Sequence, residues 1–285
     1  MTTLRLLAGT LAALAVTLGA PSLLGAQAPI RNHLYDKFQL IGALSTVQFT
    51  TTIRFDSDEG QGTDIDVEDD LGASSSVVEP RVGLRWNISR KHTLEFGYQF
   101  ARRSGEREVQ NDFEYQGETY EAGLLVKTKF NSDLASLTWR WAFHASDKSK
   151  IGATLGLGAL FFQTALDGYL SVNDQSAEVS ASRDLTAPVA GIGAFGNWQL
   201  SPAWYLELDV RGLYIPISRF EAIVGDISAA VRWWPLQWGG LEFGAGWNSV
   251  RVDINKDPEA VLTGDFEGQI KYRMIQPRVA LVVAF

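Results

Sequence analysis

From residue 38 onward the chain is a train of alternating segments. Over 77–88, Val78, Pro80, Val82, Leu84, Trp86 and Ile88 interleave with Glu79, Arg81, Gly83, Arg85 and Asn87. That is the period-two pattern of a strand with one apolar and one polar face. Similar segments follow at about 92–103, 124–143, 150–165, 203–215, 222–234, 240–254 and 267–285, with a poorly patterned one at 185–200 and a leading one at 38–55. Each is long enough for the roughly 9–11 residues of a tilted membrane strand. In the first, Ile41, Ala43, Val47, Phe49, Ile53 and Phe55 form the apolar face, and Gly42, Thr46, Gln48, Thr50 and Thr52 the polar one. The phase slips near Asn248, as a β-bulge would cause, and likewise near Pro277, a residue that sheets tolerate only at edges or bulges.

Connector lengths also alternate. Ser89–Lys91, Ser146–Ser149, Ser201-Pro202 and Leu236–Gly239 are short, whereas about 56–76, 104–123, 166–184 and 255–266 are long and polar, with a shorter link near 216–221. Short turns at one end and long loops at the other are the rule in membrane barrels. The fold class expected is all-β: a closed antiparallel up-and-down transmembrane β-barrel of about ten strands, with eight as the runner-up. A soluble β-sandwich or lipocalin-like barrel would also alternate.

Two features separate these options. Trp86, Trp139, Trp141, Trp198, Trp204, Trp233, Trp234 and Trp238 all lie within a few residues of a short turn, as an interfacial aromatic belt requires. The face opposite the aromatics carries Glu79, Glu95, Glu207, Asp209, Asp226 and Glu242 against Arg81, Arg85, Arg140, Arg211, Arg232 and Arg278. Balanced opposite charges suit a closed lumen, because an unpaired buried charge is costly.

The last segment, Pro277–Phe285, sets Val279, Leu281, Val283 and Phe285 on one face and ends on Phe285. It resembles the C-terminal signature of bacterial outer-membrane β-barrels that the barrel-assembly machinery reads. Residues 38–285 as a whole resemble the small outer-membrane barrels of the OmpA-barrel or OmpW-like kind. The resemblance implies outer-membrane localisation, contact with outer-membrane lipid and lipopolysaccharide, and engagement of that machinery through the strand ending at Phe285.

Composition adds a few constraints. The chain of 285 residues has no Cys and a formal charge of −8, so it has no disulfide framework, and a nucleic-acid partner is not expected. Residues 1–28 read as a secretory signal peptide: Arg5, an apolar stretch Leu6–Leu18, and Ala26-Gln27-Ala28 as cleavage site. Residues 29–37 then form a short periplasmic lead-in, and 38–285 the barrel domain.

No residue is assigned to catalysis, a cofactor or a metal. Gly191-Ile192-Gly193-Ala194-Phe195-Gly196 matches a dinucleotide fingerprint, but no helix follows it. Gly152 and Gly156 instead thin the inner wall to admit arginines. An extended Asp64–Asp70 would place Asp64, Asp66, Glu68 and Asp70 on one face, suited to Ca²⁺ or simply to solvent. His33, His92 and His144 all fall on the short-turn side, away from the outer rim where barrel enzymes place their histidine, so an enzyme is not expected. The functional reading is a non-catalytic integral barrel with a side-chain-filled charged lumen and acidic outer loops, with a narrow conduit as alternative and a lipid-modifying enzyme third.

Overall fold

A computed structural model describes residues 31–55, 64–108, 113–115, 118–120, 123–172, 175–217, 220–254 and 268–285. The expected signal peptide and the whole of the link at 255–266 lie outside these residues. Among them, ten long strands form a closed antiparallel ring: β1 (Phe38–Phe55), β3 (Ser76–Asn87), β4 (His92–Glu108), β7 (Leu125–Ala145), β8 (Ser149–Val172), β9 (Gln175–Ser201), β10 (Trp204–Ile217), β11 (Phe220–Trp233), β12 (Gly239–Ile254) and β13 (Gly268–Ala284). β13 pairs with β1 from Gln39↔Ala284 to Phe55↔Gly268, which closes the ring. A short strand β2 (Asp64–Asp66) pairs with β1 beyond the ring, and β5 (Phe113–Tyr115) pairs with β6 (Glu118–Tyr120) as a separate hairpin.

The outer wall is apolar where the strands cross the bilayer. On the last strand Leu281 is 65% exposed while Ala280 and Val282 are buried, as the alternation requires. Above this band the outward positions turn polar at one level, through Gln48, Arg102, Asp133, Gln163, Asp184, Glu221, Ser249 and Arg273. The strands continue past that edge. The expected long link at 166–184 is therefore mostly the continued β8–β9 hairpin.

β1 corrects the sequence reading: Ile41, Ala43, Val47, Phe49 and Ile53 face inward, and Leu40, Gly42, Leu44, Thr46, Gln48 and Thr50 face outward. Val47 is 0% exposed. It joins Phe49, Ile53, Ala101, Phe130, Phe162 and Tyr272 in an apolar cluster that fills the outer end of the barrel. The polarity of the two faces reverses there because the lumen becomes a dry core and the exterior becomes wet.

The same reversal explains the two phase slips. The β12 register runs without a shift past Asn248 on both sides, and Val250 and Val252 turn inward beyond it. β13 keeps its phase with β12 past Pro277, which faces outward. The register irregularities lie elsewhere, at Ala142/His144 and at Trp204/Tyr205.

Candidate functional site

The lumen has three levels, each built from inward positions. At the periplasmic side is a floor of ion pairs. Glu207 on β10 accepts both terminal nitrogens of Arg85 across the barrel (2.9 and 2.7 Å). It also accepts Arg140 at 3.1 Å and lies 3.3 Å from Arg232. Arg140 reaches Asp209 and Glu95, both at 3.0 Å. Arg232 and Arg278 share the two oxygens of Glu242 at 2.6 and 2.9 Å, and Arg211 holds Asp226 at 2.8 Å. All twelve charges read from the inward phase border one lumen. A carboxylate buried among three guanidiniums is satisfied by charge-assisted hydrogen bonds from several strands at once, which ties them together.

Glycines make room for these arginines. A Cβ at Gly156 would come within 3.4 Å of Arg211 Nη1, and one at Gly244 within 3.2 Å of Arg278 Nε. Gly152 does something else: its Cβ would meet the Trp141 carbonyl at 2.0 Å, beside the Ala142/His144 irregularity. The fingerprint Gly191–Gly196 lies wholly within β9.

Below the floor, the lead-in is a stopper rather than a bare tether. Residues His33–Tyr35 form a short 3-10 turn. The His33 ring stacks on Trp234 at 3.8 Å, its amide donates to Tyr205 Oη (3.2 Å), and its carbonyl accepts from Gln39 (2.8 Å). Tyr35 Oη donates to the Ser146 carbonyl (2.6 Å). Trp234 is 5% exposed, so it leaves the expected belt and packs inward with Leu34, Tyr205, Val282 and Ala284. Trp139, Trp141, Trp204, Trp233 and Trp238 are exposed on the outer wall at this end. There Trp204 stacks on its cross-strand partner Trp233 at 6.0 Å.

Above the floor, the apolar cluster closes the outer side, and one ion pair sits within it. Arg103 is buried, paired with Glu68, and its guanidinium lies 4.3 Å from the Phe49 ring and 4.4 Å from that of Phe130. Glu68 belongs to the insert between β2 and β3, a tight turn in which Asp70 N donates to the Asp66 carbonyl (2.7 Å). Gly72 has a positive φ of 66°, and a Cβ on facing Gly105 would strike the Gly72 carbonyl at 1.8 Å. The two glycines thus let the insert press against β4.

The acidic face of Asp64–Asp70 does not form. Glu68 turns inward, Asp66 Oδ1 accepts from the amides of Glu68 and Asp69 (3.0 and 2.8 Å), and Asp70 accepts from the Asp66 amide (2.7 Å). Among the described residues no acidic or histidine cluster is arranged to hold a metal ion. The three histidines lie at the short-turn end, with His92 stacked on Trp139 at 5.8 Å and His144 3.1 Å from Ser149 Oγ.

Arg103 and Lys150 stand outside the twelve charges read from the sequence, although both sit on the inward phase of their strands. Lys150 Nζ donates to Asn87 (3.0 Å) and Thr93 (3.1 Å). Parity would have found both. The stopper contacts of Trp234 and His33 carried no sequence signal.

A ten-stranded closed barrel with an apolar outer band, an aromatic girdle and a charged lumen is a transmembrane β-barrel of the bacterial outer-membrane class. Solved structures agree on the fold. The chain is similar to the outer membrane protease OmpT from Escherichia coli, with a TM-score of 0.56 at 11% identity over 88% of this chain and 97% of that one. It also matches Neisserial surface protein A (TM-score 0.31, 11% identity, 87% and 97% covered) and the P. putida toluene transporter TodX (0.34, 10%, 88% and 90%). These last two overlays are too loose to add to the fold argument. No protein-family model and no curated protein matches the chain.

Proposed function

We propose that this protein is a non-catalytic integral barrel whose lumen is closed to free diffusion. The observation that carries the reading is the Glu207 hub, which draws Arg85, Arg140 and Arg232 together across the lumen. The stopper below it and the apolar cluster above it add two further barriers in series. Planar-bilayer recording tests it: silence is expected at steady voltage, and regular single-channel openings would establish the conduit reading. That second reading draws support from the ≈ 190 Å³ cavity between floor and ceiling. A proteolytic role, suggested by the fold of OmpT, finds no histidine near the outer rim.

Residues 1–28 are read as a cleaved export signal, 29–37 as a periplasmic lead-in whose described residues 31–37 form the stopper, and 38–285 as the barrel. The final strand, with Val279, Leu281 and Phe285 facing outward, suits recognition by the assembly machinery. Arg102, Arg251 and Arg273 are exposed just above the apolar band, a height that suits the phosphates of outer-leaflet lipopolysaccharide. Charge reversal at Arg251 and Arg273 is expected to weaken binding to lipopolysaccharide vesicles while leaving binding to zwitterionic vesicles unchanged.

A further inference from the structure

The lumen between floor and ceiling holds a cavity of ≈ 190 Å³, against the ~10–15 Å³ that a single water needs. Most charges that border it join ion pairs, but two on the same wall do not. Glu79 and Arg81 face inward from β3, two positions apart and therefore about 6.6 Å apart along the strand. Glu79 is 2% exposed, and its Oε1 meets no hydrogen-bond partner. Arg81 joins none of the ion pairs that engage Arg85, Arg211 and Arg278 around it. Its guanidinium lies along a wall thinned by Gly97, where a Cβ would come within 3.7 Å of Nη2.

A buried carboxylate oxygen without a hydrogen-bond partner carries an uncompensated desolvation cost, and the part-buried Arg81 guanidinium beside it keeps its donors out of the neighbouring ion pairs. A lone cation would relieve only Glu79, and a lone anion only Arg81. A solute bearing both charges relieves the two together and adds no net charge to an enclosed lumen. We propose that this chamber binds a small zwitterion of the α-amino-acid class. Its ammonium sits on Glu79 and its carboxylate on the Arg81 fork. Ser132, Tyr272 and Gln276, which also border the cavity, supply neutral polar groups for the remainder. The site does not depend on the lumen being closed; only slow release of the solute does.

Radiolabelled glycine is the probe, used with the full barrel refolded in detergent. Equilibrium dialysis reads binding, and rapid desalting of barrel refolded with the label reads retention. The wild type is expected to bind glycine at close to one equivalent, with neither acetate nor methylammonium competing. Glu79→Gln and Arg81→Gln are expected to lower the bound label at least tenfold while keeping the cold-versus-boiled gel shift of a folded barrel. No glycine bound in dialysis, or binding unchanged in both folded variants, overturns the site. Binding in dialysis that is lost on desalting supports the site and counts against the closed lumen instead.

Discussion

Glu207 shows how one side chain can hold several strands. Its oxygens accept from arginines on β3 and β7 and face a third on β11. Glu207→Ala leaves those guanidiniums buried around an empty centre, and removing one partner of a buried pair costs about 3–5 kcal/mol. The urea midpoint of the folded barrel is expected to fall accordingly. Glycines offer a sharper contrast. A Cβ at Gly193 would sit 1.9 Å from the Val210 carbonyl, whereas one at lipid-facing Gly42 meets nothing within 4 Å. Gly193→Ala is therefore expected to lose the cold-versus-boiled gel shift or greatly lower the urea midpoint. Gly42→Ala is expected to leave both unchanged.

At the scale of the element, β1 is the informative strand. Its lower outward residues Leu40 and Leu44 meet lipid, and its upper inward residues Val47, Phe49 and Ile53 meet each other and the insert. Val47→Arg places an unpaired charge in that dry cluster and is expected to destabilise by roughly 3 kcal/mol or more. Gln48→Arg points to the wet outer wall and is expected to stay within about 0.5 kcal/mol of the wild type. Denaturant titration of both variants checks the reversal, because the sequence alternation taken alone assigns the two positions the opposite way.

For the whole molecule, the proposed seal is built in series from stopper, ion-pair floor and apolar ceiling. Opening the stopper alone should therefore not suffice. His33→Ala and Trp234→Ala are each expected to remain silent in planar bilayers. Either change combined with Glu207→Ala is expected to raise the ionic leak above the single variants, because two of the barriers are then weakened together. Equal silence in the combined variants would locate the seal in the apolar ceiling.

The sequence by itself determined the strand-and-turn plan of about ten strands, the short turns and the twelve charges of the lumen, because period-two alternation is a local property that survives any arrangement of neighbours; closure of the ring decided ten over eight. Only the tertiary structure decided where along each strand the membrane ends. That level sets which face is wet, so β1 and the outer half of β12 invert although their backbones keep phase. Partner choice across the lumen was equally out of reach: Arg85 meets Glu207 over a sequence separation of 122. Closure of the ring alone brings such residues together.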